Sequence, residues 1–229
     1  MTRYIVTGGS AGIGAAVVNR LASAGYHVTS VARRKAATDV ELVESVRCDL
    51  SNLDQIESPI KELIKRGHPE GAVLCHGFGD FGSLEQFSEA RIRRLVDTNL
   101  TSNLLLARLL IPIMKAAGKG TLVFMGSEAA LRGGKQGAVY AATKFALRGL
   151  AQSLRQECSG SGVRVAIVNP GMVNTAFFNE LSFTPGADQN NALTAEDVAD
   201  AVMTILEAPP HAVIDEINLS PLKKVIRQR

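Results

Sequence analysis

The chain has 229 residues, of which 46% are hydrophobic and 21% charged, with a formal net charge of +3. That length suffices for one α/β domain with its own core, and the balance is that of an ordinary globular protein. The charge is too small to point to nucleic acid, and no arm or helix face gathers Lys and Arg beyond the short run Arg33-Arg34-Lys35.

Cys48, Cys75 and Cys158 are far apart, so no disulfide framework and no metal-knuckle spacing is read from them. They read as small apolar core residues in a reducing cytoplasm, and no metal is expected. The N-terminus runs straight into Arg3-Tyr4-Ile5-Val6 without a signal-peptide pattern. The longest apolar run, Leu104 to Met114, is broken by Arg108 and Pro112, so no membrane partner is expected.

Short apolar, β-branched runs recur at Tyr4 to Val6, His27 to Val31, Glu44 to Cys48, Gly71 to Cys75, Thr121 to Met125, Val163 to Val168 and Ala212 to Ile217. Their scarcity of charge suits parallel strands buried on both faces. Helical patterns lie between them, at Gly12 to Ala24, Leu53 to Arg66, Ala90 to Ala117, Ala138 to Ser159 and Ala195 to Ala208. Thr194 before Ala195-Glu196-Asp197 is an N-cap followed by acids, and Gly118 and Gly120 can end the long helix. Strand and helix in alternation predict a doubly wound, Rossmann-like parallel sheet of about seven strands, with helices on both faces and one domain over 1–229. One segment breaks the rhythm. Residues 171–193, rich in Asn, Phe, Pro and Gly, read as a lid after a strand.

The first run leads into Thr7-Gly8-Gly9-Ser10-Ala11-Gly12-Ile13-Gly14 and then a helix. In open α/β sheets ligands bind beyond the carboxyl ends of strands. Glycines allow a tight turn and close backbone approach, and the helix start offers free N–H groups to a pyrophosphate. The spacing Gly-x-x-x-Gly-x-Gly after a Thr resembles the short-chain dehydrogenase/reductase family in its single-domain form. The second run ends Val31-Ala32-Arg33-Arg34, with no acid where one would meet the ribose hydroxyls of NAD. Two guanidinium groups there suit a 2′-phosphate, so NADP(H) is the expected cofactor.

The resemblance extends along most of the chain. Tyr140 and Lys144 lie four apart at a helix start, on one face. Ser127 follows the run ending in Met125, and Asn99 lies inside the long helix. In this order, after this loop, Asn99, Ser127, Tyr140 and Lys144 match the family's Asn–Ser–Tyr–Lys set. A phenol near pH 7 is a poor acid–base group, and a neighbouring cation favours its ionised form. The resemblance therefore implies Tyr140 as acid/base, Lys144 as its cation and ribose ligand, Ser127 as the group orienting the reacting oxygen, and Asn99 as holder of a water linking Lys144 to solvent.

By the same resemblance Asp49 binds the adenine amino group, with Leu50 lining its pocket. Backbone groups in Asn169-Pro170-Gly171-Met172-Val173 fix the carboxamide, and Thr175 contacts it or the pyrophosphate. The implied cofactor surface comprises Gly8, Ser10, Gly12, Ile13, Gly14, Arg33, Arg34, Asp49, Leu50, Cys75, Gly77, Asn99, Tyr140, Lys144, Pro170, Gly171, Val173 and Thr175. One departure stands out: Cys75-His76-Gly77 replaces the usual Asn-Ala-Gly. Gly77 is kept, but a hydrogen bond between central strands loses its Asn; His76 can replace it or be a satisfied core histidine.

The expected activity is NADP-linked, reversible hydride transfer between a carbonyl and an alcohol carbon. Substrates consistent with this include 3-oxoacyl thioesters, 3-hydroxy acids, amino alcohols such as serine, and small or aromatic carbonyls. The alternative is a non-catalytic NADP-binding redox sensor; a methyltransferase would leave the Tyr–Lys pair and Arg33 unexplained. Phe177, Phe178 and Leu181 in the lid, with Phe78 and Phe81, favour an apolar pocket. The two long helices resemble those that pair in family homodimers and homotetramers.

Overall fold

A computed structural model describes residues 2–229. Among the described residues nine strands occur in chain order: β1 (Arg3–Thr7), β2 (His27–Ala32), β3 (Val43–Arg47), β4 (Gly71–Leu74), β5 (Gly120–Met125), β6 (Val163–Pro170), β7 (Phe183–Pro185), β8 (Glu216–Leu219) and β9 (Ile226–Gln228). Seven of them form one parallel sheet in the order β3-β2-β1-β4-β5-β6-β8. The order reverses between β1 and β4, which opens a crevice at their carboxyl ends.

The central strands are apolar on both faces because both faces are covered. Every residue of β4 and β5 is buried. Successive side chains alternate between two cores. Ile5, Leu74, Leu122 and Phe124 pack on the side of helices α2 (Glu57–Lys65), α4 (Ser102–Ala117) and α5 (Ala138–Cys158). Tyr4, Val6, Val73 and Val123 pack on the side of α1 (Gly12–Ser23) and α6 (Ala195–Leu206). β3 is an edge strand, and it keeps Glu44 and Arg47 exposed; charge on an edge discourages pairing with another chain.

The predicted helix 90–117 divides. Helix α3 (Glu89–Val96) is followed by a π-helical turn, Asp97–Thr101, before α4. The wider turn carries Asn99 into full burial; such turns are rare and cluster at functional sites. Together these elements make a continuous 29-residue run that is, by length and composition, apolar enough to cross a membrane. The apolar run read from sequence was shorter. Leu106, Leu110 and Met114 of this run are fully buried against the sheet, so the core accounts for much of its apolar character.

Two other boundaries shift. Residues 53–66 form a single 3-10 turn, Leu53–Gln55, and then α2. The last sheet strand, expected from Ala212, starts at Glu216. Pro209 closes a turn by accepting the Ala212 N–H at 2.8 Å, and pairing with β6 begins only where Ile167 faces Glu216.

The segment 171–193, expected as a lid, is clipped at its base. Val173 bridges Leu193, and Asn174 donates its N–H to the Leu193 carbonyl at 2.8 Å. Between those ends lie a 3-10 turn, Ala176–Phe178, and β7, which pairs antiparallel with β9. From Thr175 to Phe183 the helical content is that one turn.

Candidate active site

The turn after β1 packs too tightly for side chains. A Cβ on Gly14 would lie 2.3 Å from the Gly8 carbonyl oxygen, and one on Gly8 would lie 2.9 Å from the Cα of His76. Gly8 and Gly12 both hold positive φ, +69° and +55°, which glycine adopts without strain. No side chain caps α1, and no acid sits in its first turn. Its leading N–H groups are therefore donors without a side-chain partner, beside Ser10, Ile13 and Thr175. A cleft of about 430 Å³ runs from Gly12 and Ala15 to Asn174, Thr175 and Thr194.

β5 and α5 bring Ser127, Tyr140 and Lys144 together. Ser127 caps the turn after β5: its Oγ accepts the Ala129 N–H at 3.1 Å. Its own N–H points to Asn169 Oδ1 at 3.3 Å. Asn169 is fixed in turn by donating to Glu216 and Asn218, at 3.0 and 2.9 Å. Tyr140 is hydrogen-bonded to the Ser127 side chain and buried. Burial pushes its phenol up to about 12, against the Ser127 bond that lowers it; Glu128 adds to the rise. Lys144 is buried too, and its Nζ donates to the Met125 carbonyl at 2.9 Å. Burial brings its ammonium down to about 8. The expected depression of the phenol is not what this arrangement gives. Desolvation outweighs the Ser127 bond, and the Lys144 Nζ, 5.7 Å from the ring centre, is committed to a carbonyl.

Asn99 is held on both sides. Its Nδ2 donates to the Phe78 carbonyl at 2.9 Å, and its Oδ1 accepts the Phe78 N–H at 3.0 Å. Its main-chain carbonyl accepts from Asn103 Nδ2 at 2.9 Å. The amide clamps the backbone after Gly77, because the π turn aims it at that loop. A Cβ on Gly77 would lie 3.0 Å from Asn99 Oδ1 and 3.8 Å from Lys144 Nζ.

His76 replaces the missing Asn as a strand tie. Its Nδ1 meets Thr7 Oγ1, and its Nε2 meets Ser102 Oγ, both at 2.7 Å. Ser102 donates its hydroxyl proton to the Thr98 carbonyl at 2.6 Å, and Asn103 Nδ2 lies 3.3 Å from the same Nε2. Burial lowers the His76 imidazole to about 3, which keeps it neutral. Burial likewise raises the neighbouring Cys75 to about 12, so it is a thiol and no nucleophile.

Comparison with known proteins fits this geometry. The family model for short chain dehydrogenase matches residues 3–185. A short-chain type dehydrogenase/reductase of Sinorhizobium fredii is 32% identical over 243 residues, covering 99% of this chain and 95% of that protein. The chain belongs to the short-chain dehydrogenase/reductase family. An oxidoreductase of Staphylococcus epidermidis is 27% identical, covering 95% of this chain and 96% of its own. Among solved structures, an alcohol dehydrogenase from the archaeon Thermococcus sibiricus, complexed with 5-hydroxy-NADP, superposes with a TM-score of 0.86 at 26% identity, covering 98% of this chain and 99% of that one. A metagenomic short-chain oxidoreductase in complex with NADP superposes with a TM-score of 0.81 at 30% identity, covering 97% and 98%.

This short-chain dehydrogenase/reductase has the residues to hold a dinucleotide. The uncapped start of α1 fits its phosphates. At the end of β2, Ala32 is buried while Arg33 and Arg34 are exposed. Leu50 is buried beyond β3, beside Asp49. The Asp49 carboxyl accepts from the Ser51 hydroxyl and N–H, at 2.7 and 3.0 Å, and is held below its ordinary range by those bonds, with Arg33 and Arg94 contributing. At the end of β6, Pro170 leads into Gly171, whose N–H reaches the Leu219 carbonyl at 2.7 Å. Val173 is buried, and Thr175 Oγ1 accepts the Phe177 N–H at 3.3 Å.

Sequence reasoning overlooked several residues here. Arg94 lies over the Phe78 ring, 5.1 Å from its centre, and its charge acts on the Asp49 carboxyl. From sequence it is one more charge on a helix. Asn169 was noted only as part of a turn, and its grip on Ser127 depends on partners in β8. Phe183 joins the aromatic wall, 4.9 Å from Phe81, which is itself 5.1 Å from Tyr140.

Proposed function

We propose that this oxidoreductase uses NADPH to reduce a carbonyl compound, reversibly, with Tyr140 as the proton donor. One observation carries the reading: a buried phenol, hydrogen-bonded to Ser127, shares the end of β5 with a buried ammonium. A phenol near 12 is fully protonated at neutral pH, the form that reduction requires. The bound nicotinamide supplies the hydride. As the substrate oxygen gains negative charge, Tyr140 gives it a proton, and Ser127 fixes the direction of approach. Lys144, held by Met125, stabilises the phenolate left behind while it remains charged. Asn99 serves by clamping the Gly77–Phe78 backbone, and Asn169 by placing Ser127.

The choice of NADPH rests on Ala32, Arg33 and Arg34, with Arg94 a further cation acting on Asp49. A 2′-phosphate gains charge-assisted bonds there and meets no carboxylate at the end of β2. The NADP complexes of the two related structures support this. Exposed Leu104 on α4 and Phe145 on α5 support pairing of these helices in a homodimer or homotetramer, which sedimentation would test.

The experiment is a comparison of cofactors and carbonyls. NADPH and NADH affinities are read by fluorescence, and turnover by NADPH absorbance with an aryl ketone, a small aldehyde and, in reverse, serine. The reading expects tighter NADPH binding and measurable ketone reduction. Tight binding without turnover on any carbonyl would instead favour the redox-sensing alternative, and an NADH preference would overturn the cofactor assignment.

A further inference from the structure

The segment after β8 runs on past the sheet. Pro221 packs over Gly171, where an added Cβ would lie 3.0 Å from the proline Cδ. Lys224 pairs with Glu128, the residue after Ser127, at 2.7 Å. The segment then grips the lid. The Lys223 N–H donates to the Asn190 carbonyl, and the Lys223 carbonyl accepts from Asn191 Nδ2, both at 2.9 Å. β9 pairs with β7 between two further bonds: Gly186 N–H to the Val225 carbonyl at 3.0 Å, and Arg229 N–H to the Ser182 carbonyl at 2.8 Å. The Arg229 guanidinium donates to the carbonyls of Phe178 and Asn179, each at 3.0 Å.

What the segment holds is an aromatic circuit around Tyr140. Ring centres are 5.1 Å apart for Tyr140 and Phe81, 4.9 Å for Phe81 and Phe183, 5.8 Å for Phe183 and Phe178, 5.2 Å for Phe178 and Phe177, and 6.2 Å for Phe177 back to Tyr140. Phe183 is in β7, and the Phe178 carbonyl is an acceptor for Arg229. A three-residue strand and one 3-10 turn have little stability of their own. The Val173–Leu193 bridge fixes the lid's base, and β9 with Arg229 fixes its tip. The grip is made of hydrogen bonds, exposed or half-buried, with little apolar burial: Ile226 is 50% exposed and Leu222 88%. Such contacts open at low cost, as exchange of substrate requires.

We propose that residues 221–229 are a latch that holds the lid aromatics against Tyr140 and so sets the substrate slot. The slot it shapes takes carbonyl compounds with a flat or branched apolar group beside the carbonyl, in preference to small polar ones. The inference rests on the reductase reading above.

Two variants of the full chain test it, with NADPH bound. Thr184 and Arg227 face each other midway between the bonds at Gly186 and Ser182, so alternation makes them a hydrogen-bonded pair. Arg227→Pro removes that donor; Arg229→Ala removes the guanidinium bonds. Hydrogen exchange should quicken across 176–186 and stay unchanged in α5. The ratio of kcat/KM for acetophenone to that for acetone should fall by about tenfold, the scale of a lost apolar contact. NADPH affinity should hold within about twofold, and Arg229→Lys should recover part of the ratio. Unchanged lid exchange overturns the latch; quickened exchange with an unchanged ratio overturns its control of the slot. If Arg227→Pro unfolds, Arg229→Ala carries the test. If the parent turns over no carbonyl of the panel above, the reductase reading fails, and lid exchange alone decides the latch.

Discussion

Lys144 Nζ donates to the main-chain carbonyl of Met125 at 2.9 Å, which ties the ammonium on α5 to the strand that delivers Ser127. Its burial brings it down to about 8, so it is charged at neutral pH and loses its proton in the mildly alkaline range. Below that value the cation stabilises the phenolate that proton transfer leaves; above it, the support is gone. The kcat/KM for carbonyl reduction should therefore be level near pH 6–7 and fall as pH rises through about 8. Lys144→Gln should be slower throughout and lack this limb. A parent profile level to pH 10 would count against the assignment.

His76 makes a stability prediction. Its imidazole is lowered by burial from 6.5 to about 3, so between those values the unfolded chain binds a proton that the folded chain refuses. Stability should be complete above pH 6.5 and decline as pH falls toward 3. His76→Asn should show a flatter dependence of Tm on pH over that window. Equal slopes in the two proteins would mean that other groups govern acid unfolding.

At the adenosine end, Ala32→Asp puts a carboxylate where a 2′-phosphate is expected. The ratio of NADPH to NADH affinity should drop by at least about tenfold. Arg94→Ala should weaken NADPH more than NADH, in the same direction as Arg33→Ala. Equal losses for both cofactors would assign Arg94 to packing on Phe78 alone.

Gly79 lies under the lid. A Cβ there would come 2.4 Å from Phe177 Cζ and 2.8 Å from Phe81 Cε2. Phe177 is 37% exposed and can swing away, while Phe81, packed between Tyr140 and Phe183, must shift too, so Gly79→Ala should fold with a modest loss of Tm. The displaced ring should raise KM for acetophenone several-fold and leave NADPH affinity alone. An unchanged KM would show that Phe177 does not touch substrate.

What was legible in the sequence was local. Tyr4-Ile5-Val6 followed by the glycine turn and an apolar helix pattern needs no distant partner to be read. Tyr140 and Lys144 are one helical turn apart, so their shared face follows from spacing. The π turn was hidden because Asp97-Thr98-Asn99 reads as ordinary helix; only packing against the Phe78 loop distinguishes it. His76 stood out as a departure, but its partners Thr7 and Ser102 lie 69 and 26 residues away. The β7–β9 pair was unreadable for the same reason. Phe183-Thr184-Pro185 and Ile226-Arg227-Gln228 are each too short for a pattern, and they become strands only by meeting.

The most direct measurement is single-turnover oxidation of NADPH by acetophenone in the parent and in Tyr140→Phe, with NADPH affinity measured on both. The phenylalanine keeps the ring that packs on Phe81 and removes only the proton donor. NADPH should bind within a few-fold of the parent, and the rate should fall by about 10²–10⁴, the usual worth of a general acid. A variant that binds NADPH normally and turns over within tenfold of the parent would show that Tyr140 is not the acid.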